Sequence, residues 1–259
     1  MINDIDYGKV IDLVKEAKKF VLDRELRESV NMKGKADFVT AVDLEISEFL
    51  KKELAVLTPD IGFMSEEEKN EILPTRWILD PIDGTTNLVY GYNMCSISLA
   101  LCVDEVIEFG VVYDPFHDET FTAIRGEGAY YNGKKLDKIK DRELGDCIIE
   151  FGAGSTKKNY ADIAFGIAKE VFENCLDIRR ICSSALSVCY IASGKINGYF
   201  EKVLKPWDYA AATLILEECG GKCSDWDGNP IEFRKTSTYV CGSEKAYDFL
   251  LKTVNKYDR

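Results

Sequence analysis

The chain has one histidine, His117, in 259 residues, although it has nine cysteines. A lone imidazole in the loop-like stretch Asp114-Pro115-Phe116-His117-Asp118 gives a Cys/His zinc cluster no partner and offers little to a Ser-His-Asp triad. Met1 to Asp6 is acidic and amphipathic, unlike a signal peptide, and no secretory leader is expected. The odd number of cysteines therefore reads as free, buried thiols and not as a disulfide framework. Cys219-Gly220-Gly221-Lys222-Cys223 could hold half a metal site, but no second half follows. Positive charge is short, with 33 Lys and Arg against 45 Asp and Glu and a net charge of −12. No basic block interleaved with aromatics offsets this, so the field of the molecule repels nucleic acid. The longest apolar run, around Ile97 to Val103, is too short to span a bilayer. These absences imply a cytoplasmic protein with neither nucleic acid nor membrane as partner.

What is present is an ordinary globular composition, 46% hydrophobic and 30% charged. Tyr7, Val10, Ile11, Val14, Ala17, Phe20 and Val21 recur at helical spacing and predict one long amphipathic helix over 4–30. A second helix starts near Thr40, with Ile46, Phe49, Leu50 and Leu54 on its apolar face. Strands are expected at 76–80, 94–103, 106–113 and 119–125, with Asn132-Gly133 as a hairpin turn. From Cys147 strands and helices alternate: strands at 147–151, 177–181, 197–201 and 238–242, helices at 160–174, 184–193, 206–219 and 244–256. Such alternation argues for a mixed α/β (α+β) fold of sheets with helices packed on them. The change of texture divides the chain into an N-terminal α+β half, 1–145, and a C-terminal α/β half, 146–259.

Acidic residues gather at four stations. Asp80-Pro81-Ile82-Asp83-Gly84-Thr85-Thr86-Asn87 follows the apolar run Trp77-Ile78-Leu79 and sets two carboxylates, a glycine and two hydroxyls in one turn. A hard cation takes such oxygens, and a phosphate takes the free N–H groups of a helix start. The same residues also fit a plain strand-to-helix turn capped by Asp. Asp37-Phe38-Val39-Thr40-Ala41-Val42-Asp43 reads as a capping box, Thr40 at the N-cap and Asp43 at N3. Phe63-Met64-Ser65-Glu66-Glu67-Glu68 reads as a solvated helix start. Lys205-Pro206-Trp207-Asp208 puts Asp208 in the first turn of a helix whose Ala210, Ala211, Leu214 and Ile215 form a close-packing face.

These stations, in this order, resemble the inositol monophosphatase family of the lithium-sensitive, magnesium-dependent sugar phosphatases. The likeness runs through Asp37 to Asp43, Glu66-Glu67, Trp77 to Asn87, Gly126 to Gly133, the segment near Ser183, and Gly198 to Gly221. It implies a layered αβαβα architecture, two sheets sandwiched by helices, and a homodimer. It also implies two or three Mg²⁺ ions, or Mn²⁺, held by Glu66, Asp80, Asp83, Asp208 and the backbone carbonyl of Ile82. Thr85, with Asp43 behind it and Glu66 assisting, would orient and help deprotonate the attacking water. Asp208 would lie near the leaving oxygen, and the N–H groups of Gly84 and Thr85 would cradle the phosphate. Substrate hydroxyls would meet Asp83, Glu201 and the Ser183-Ser184 segment. The family usually has Gly-Ser-Ala or Gly-Thr-Ala where this chain has Cys182-Ser183-Ser184, so the polyol pocket is expected to be narrowed or tilted. Gly152 to Lys158 is expected near its mouth.

The implied activity is hydrolysis of a small phosphorylated polyol, inositol 1-phosphate first. Fructose 1,6-bisphosphate and histidinol phosphate remain as alternatives. Nucleotide-directed relatives place Lys after Gly-Thr, whereas this chain has Thr86-Asn87. A rival of another class is a regulatory protein-binding role, against which the full acidic set weighs.

Overall fold

In the computed structural model, which describes residues 5–34, 37–68, 72–154 and 158–257, the predicted helix over 4–30 is three helices. These are α1 (Tyr7–Glu16), α2 (Lys18–Leu22) and α3 (Arg24–Glu28). Asp23 makes the second break: its backbone is extended, and its carboxylate accepts the Glu25 and Leu26 N–H groups to cap α3. The apolar periodicity survives the breaks, because Val10, Val14, Ala17 and Val21 are all buried. A short hairpin of β1 (Val30–Gly34) and β2 (Asp37–Thr40) then leads into α4 (Ala41–Leu57).

The larger sheet has seven strands in the order β3-β4-β5-β6-β7-β8-β9. They are β3 (Gly62–Ser65), β4 (Thr75–Asp83), β5 (Ser96–Val103), β6 (Val106–Asp114), β7 (Glu119–Ile124), β8 (Gly128–Tyr131) and β9 (Lys134–Lys135). Asn132 and Gly133 both adopt positive φ, 48° and 74°, and turn β8 into β9 as the Asn-Gly signal predicts. The expected helix start at Phe63 is instead β3, paired parallel to β4 with Met64 and Ser65 buried. Pairing to a strand that lies later in the chain overrides the local preference of the three glutamates. The register Ser65↔Leu79 then carries the next residues, Glu66 and Asp80, to the same end of the sheet.

The second sheet has five strands, β11-β10-β12-β14-β13, namely β10 (Ile148–Phe151), β11 (Asp177–Arg179), β12 (Gly198–Leu204), β13 (Lys222–Ser224) and β14 (Ser237–Gly242). The remaining helices are α5 (Thr85–Val89), α6 (Ala161–Asn174), α7 (Ser184–Ala192), α8 (Pro206–Glu218) and α9 (Glu244–Tyr257). One core joins α1 and α4 to β4, β5 and β6. A second encloses α7 and α8 between the two sheets, and a third packs α6 and α9 on the far face of the smaller sheet. The layers are therefore helix, sheet, helix, sheet, helix, as the sequence implies. Ala185 to Ala192 of α7 are all buried, as expected of a helix covered on every side. Among the described residues no helix is long and apolar enough to cross a membrane.

The larger sheet uses only residues before 136 and the smaller only residues after 147. We propose the division at 145/146 as one between structural halves, because α7 and α8 from the second half complete the core of the first. Buried Arg76 ties them too, donating to the Phe233 carbonyl at 2.7 Å. His117 lies in the β6–β7 turn, its Nδ1 2.8 Å from Asp114 Oδ2, and does not line the carboxylate pocket.

The close approach of α8 to β6 makes a test of packing. A Cβ at Gly110 would lie 2.7 Å from the Ala211 carbonyl oxygen, a backbone atom that cannot swing aside. Gly110→Ala is expected to destabilise the protein by about 1–3 kcal/mol through overpacking. Urea denaturation checks this; an unchanged midpoint would contradict it.

Candidate functional site

The centre of the site is the end of β4. Asp80 pairs with Ser98 and Asp83 with Ser96, three steps on β4 against two on β5. That extra residue is a bulge, and it lets two aspartates three positions apart face the same side of the sheet. Ile82 N–H donates to Asp80 Oδ1 at 3.1 Å, fixing the bulge. Gly84 follows with φ +99°, where an added Cβ would lie 3.0 Å from the Met94 carbonyl oxygen and 3.2 Å from that of Cys182. Glycine is the residue this turn accepts. Thr85 then opens α5, its hydroxyl 3.0 Å from the Ile82 carbonyl oxygen and 3.3 Å from Asp43 Oδ1.

Other elements bring the remaining groups. Glu66 stands at the end of β3, and Asp208 at N3 of α8, where Oδ2 accepts the Lys205 N–H at 2.6 Å. Asp43 is 1% exposed and completes the predicted capping box, accepting the Thr40 N–H at 2.7 Å and its hydroxyl at 2.6 Å. Glu66, Asp80, Asp83 and Asp208 line one pocket of about 460 Å³ together with Ile82, Gly84, Thr85 and Glu201. Asp43 is behind Thr85, outside the lining. Glu201 comes from β12, and Gly152 makes room for it, since a Cβ there would fall 1.9 Å from Glu201 Oε2.

The substrate-side residues divide. Ser184 lines the pocket, whereas Ser183 is buried and donates to Asp83 Oδ2 at 2.6 Å. Ser184 and Ala185 N–H groups donate to the same carboxylate at 3.1 and 2.8 Å. All nine cysteines are free thiols, but Cys182 is not buried as expected: it is exposed on the pocket wall with φ +66°. Gly152 to Gly154 and Lys158 do line the pocket; 155–157 of that segment lie outside the described residues.

Sequence reasoning missed Arg180, which lines the pocket, and Glu150, which lies behind its wall. Only Glu150 left a signal, as the one acid in the apolar strand Ile148-Ile149-Glu150-Phe151.

Burial, followed by the charges of Glu66, Asp83, Asp208 and Asp43, pushes the Asp80 carboxyl well up. Burial also raises Asp208 well above the usual range, the Lys205 N–H opposing and Glu66, Asp83 and Glu201 adding. Asp83 rises to about 6, burial outweighing its bonds from Ser183, Ala185, Ser184 and Ser96. Glu201 rises to about 7 through burial, against the Tyr199 hydroxyl bond. Among the described residues no acidic, His or Cys trio is closed to metal-coordinating spacing. The carboxylates share a pocket without forming a cage. As an all-oxygen donor set under mutual repulsion, they suit a hard divalent cation, which removes the repulsion.

The profile of the Inositol monophosphatase family matches residues 4–259. The Nus factor SuhB of Pasteurella multocida is 36% identical over 200 residues, covering 76% of this chain and 75% of that protein. The inositol-1-monophosphatase of Mesorhizobium japonicum is 34% identical over 230 residues, covering 88% and 86%. The solved Thermotoga maritima IMPase superposes with a TM-score of 0.88 at 28% identity over 97% of each chain. An IMPase/NADP phosphatase complexed with Mg²⁺ and phosphate gives 0.86 at 27% identity, covering 96% and 94%.

A carboxyl whose pKa is raised by folding stabilises the metal-free protein below the ordinary carboxylate range. That stability is lost as pH rises through the folded value, for Asp83 about 6. Cation binding works against the proton, so the increase in Tm on adding Mg²⁺ is expected to grow from pH 5 to pH 7.5. A shift independent of pH in that window would contradict the assignment of these carboxyls as ligands.

Proposed function

This chain belongs to the inositol monophosphatase family, and we propose that its pocket hydrolyses the phosphate monoester of a small polyol, inositol 1-phosphate first. The observation that carries the reading is the meeting of Glu66, Asp80, Asp83 and Asp208 beside the Gly84-Thr85 turn. Glu66, Asp80, Asp83, Asp208 and the Ile82 carbonyl would hold Mg²⁺. Held there, the cation would supply Lewis acidity towards the ester and charge compensation for the leaving alkoxide.

The chain's own residues do the rest. Thr85 donates its hydroxyl proton towards Asp43 or Ile82, leaving its lone pairs to accept a hydrogen bond from the attacking water. Asp43 Oδ1 is the acceptor for a proton passed through Thr85, and Glu66 assists from the pocket wall. The N–H groups of Gly84 and Thr85 open α5 and hold the phosphate oxygens. Asp208 lies on the leaving-group side, and Glu201 with Ser184 receives the polyol hydroxyls.

Lys158, Arg180 and Lys205 also line the pocket. Three cations in that wall favour a second reading, in which the substrate carries a further phosphate, as fructose 1,6-bisphosphate does. The relatives named Nus factor SuhB suggest a regulatory role as well, which would use surfaces outside this pocket.

A phosphate-release screen across polyol, sugar and histidinol phosphates tests the reading. Turnover should require Mg²⁺ or Mn²⁺ and vanish with chelator, and Asp83→Asn should lose about a hundredfold or more. A metal-loaded protein inactive on every ester would favour the regulatory role.

Glu201→Gln separates recognition from chemistry. It should raise KM for a polyol phosphate roughly tenfold, the equivalent of about 1.4 kcal/mol, and spare kcat. An aryl phosphate without hydroxyls should be cleaved equally by both proteins. Loss of both substrates together would place Glu201 in the water or cation network. Arg180→Ala should lower kcat/KM for a bisphosphate and leave that for a monophosphate; equal effects would remove the second reading.

A further inference from the structure

The backbone turn that holds Asp83 is itself held. Cys182 is a non-glycine residue at φ +66°, a left-handed conformation that a side chain disfavours. The residue just before it, Ile181, is gripped by both of its backbone groups. Ile181 N–H donates to Glu150 Oε1 at 2.7 Å, and the Ile181 carbonyl accepts Asn87 Nδ2 at 2.8 Å. Asn87 is anchored in turn by donating to the Met94 carbonyl at 2.7 Å. Directly after the turn come three donors to Asp83, the Ser183 hydroxyl and the Ser184 and Ala185 N–H groups. The Cys182 carbonyl oxygen lies 3.2 Å from where a Gly84 Cβ would be, so the turn also rests on the phosphate loop.

Glu150 is an expensive residue to keep there. It is 0% exposed in an apolar strand, and among the described residues its Oε2 has no hydrogen bond within ordinary geometry. A buried carboxyl with one atom unsatisfied costs stability, and nothing in strand β10 needs it. Its bond from the Ile181 N–H ties it to the turn, and the Ser187 hydroxyl is its other polar neighbour.

We propose that Glu150 and Asn87 are positioning residues for the reaction: they clamp Ile181 by its N–H and its carbonyl and so hold Cys182 in its left-handed conformation, so that the donors after it fix the Asp83 carboxylate. The consequence for catalysis rests on the reading of Asp83 as a cation ligand; the clamp itself does not. Removing the grip lets Cys182 relax towards negative φ and shifts all three donors. A glycine at 182 takes up the same turn without being held.

The experiment compares Glu150→Ala, Glu150→Gln, and Glu150→Ala combined with Cys182→Gly. Phosphate release as a function of Mg²⁺ is measured on each, together with amide hydrogen exchange at Ser184 and Ala185. Glu150→Ala should need about tenfold more Mg²⁺ for half-maximal turnover and exchange faster at both amides. Glu150→Gln retains an acceptor for the Ile181 N–H and should keep most of the wild-type behaviour. The added Cys182→Gly should restore both readouts, which relief of a merely destabilised fold would not do. If Glu150→Ala does not fold, Asn87→Ala with and without Cys182→Gly decides by the same measurements. Unchanged exchange in the alanine variant, equal damage from Gln and Ala, or no restoration by glycine would overturn the clamp. Should the wild type release no phosphate from any ester, the proposed activity fails, and the exchange data still decide the clamp.

Discussion

The burial of several carboxylates at one point is the constraint around which this molecule is arranged. Asp80, Asp83 and Asp208 are all pushed above the usual carboxylate range by burial first; neighbouring charges add at Asp80 and Asp208, while donors from Ser183, Ala185, Ser184 and Ser96 oppose the rise at Asp83. Such a group of acids is unfavourable without cations, and each member is held by backbone that comes from a different element. Asp80 is fixed by the Ile82 N–H, Asp208 by the Lys205 N–H, and Asp83 by the donors at the start of α7. Short bonds to backbone donors restrain the carboxylates where their charges alone would drive them apart.

The layered fold makes those bonds available in one place. The ends of β3 and β4 supply Glu66, Asp80 and Asp83, while α7 and α8, enclosed between the two sheets, begin at the same pocket. The close contact of Gly110 with Ala211 sets the depth of α8 and therefore the position of Asp208. Packing in the central layer and geometry in the pocket are thus the same constraint seen at two ends of a helix.

Much of this was legible in the sequence where the information is local. The Asp80 to Asn87 turn announces itself by residue type, and Thr40 with Asp43 has the spacing of the capping box that forms. Asn132-Gly133 carries its own turn geometry. What escaped depends on contacts between distant segments. Glu66 sits in an acidic run suited to a helix start, and only pairing with β4 makes it a strand end. The break at Asp23 is hidden because the apolar stripe continues through it. Gly152 was expected near the pocket mouth, but the reason for glycine there was not legible: Glu201, from another strand, fills the space where a side chain would be. The departure from the family pattern at Cys182 was visible, but its left-handed backbone and the grip of Glu150 and Asn87 on the preceding residue, Ile181, were not.

The central claim is that these carboxylates form a site for divalent cations beside a phosphate. Anomalous diffraction from crystals grown with Mn²⁺ and inorganic phosphate tests it most directly. The account predicts Mn²⁺ peaks ligated by Glu66, Asp80, Asp83 and Asp208, with the phosphate against the N–H groups of Gly84 and Thr85. A pocket without anomalous density at saturating Mn²⁺, or peaks confined to other acidic residues, would contradict it.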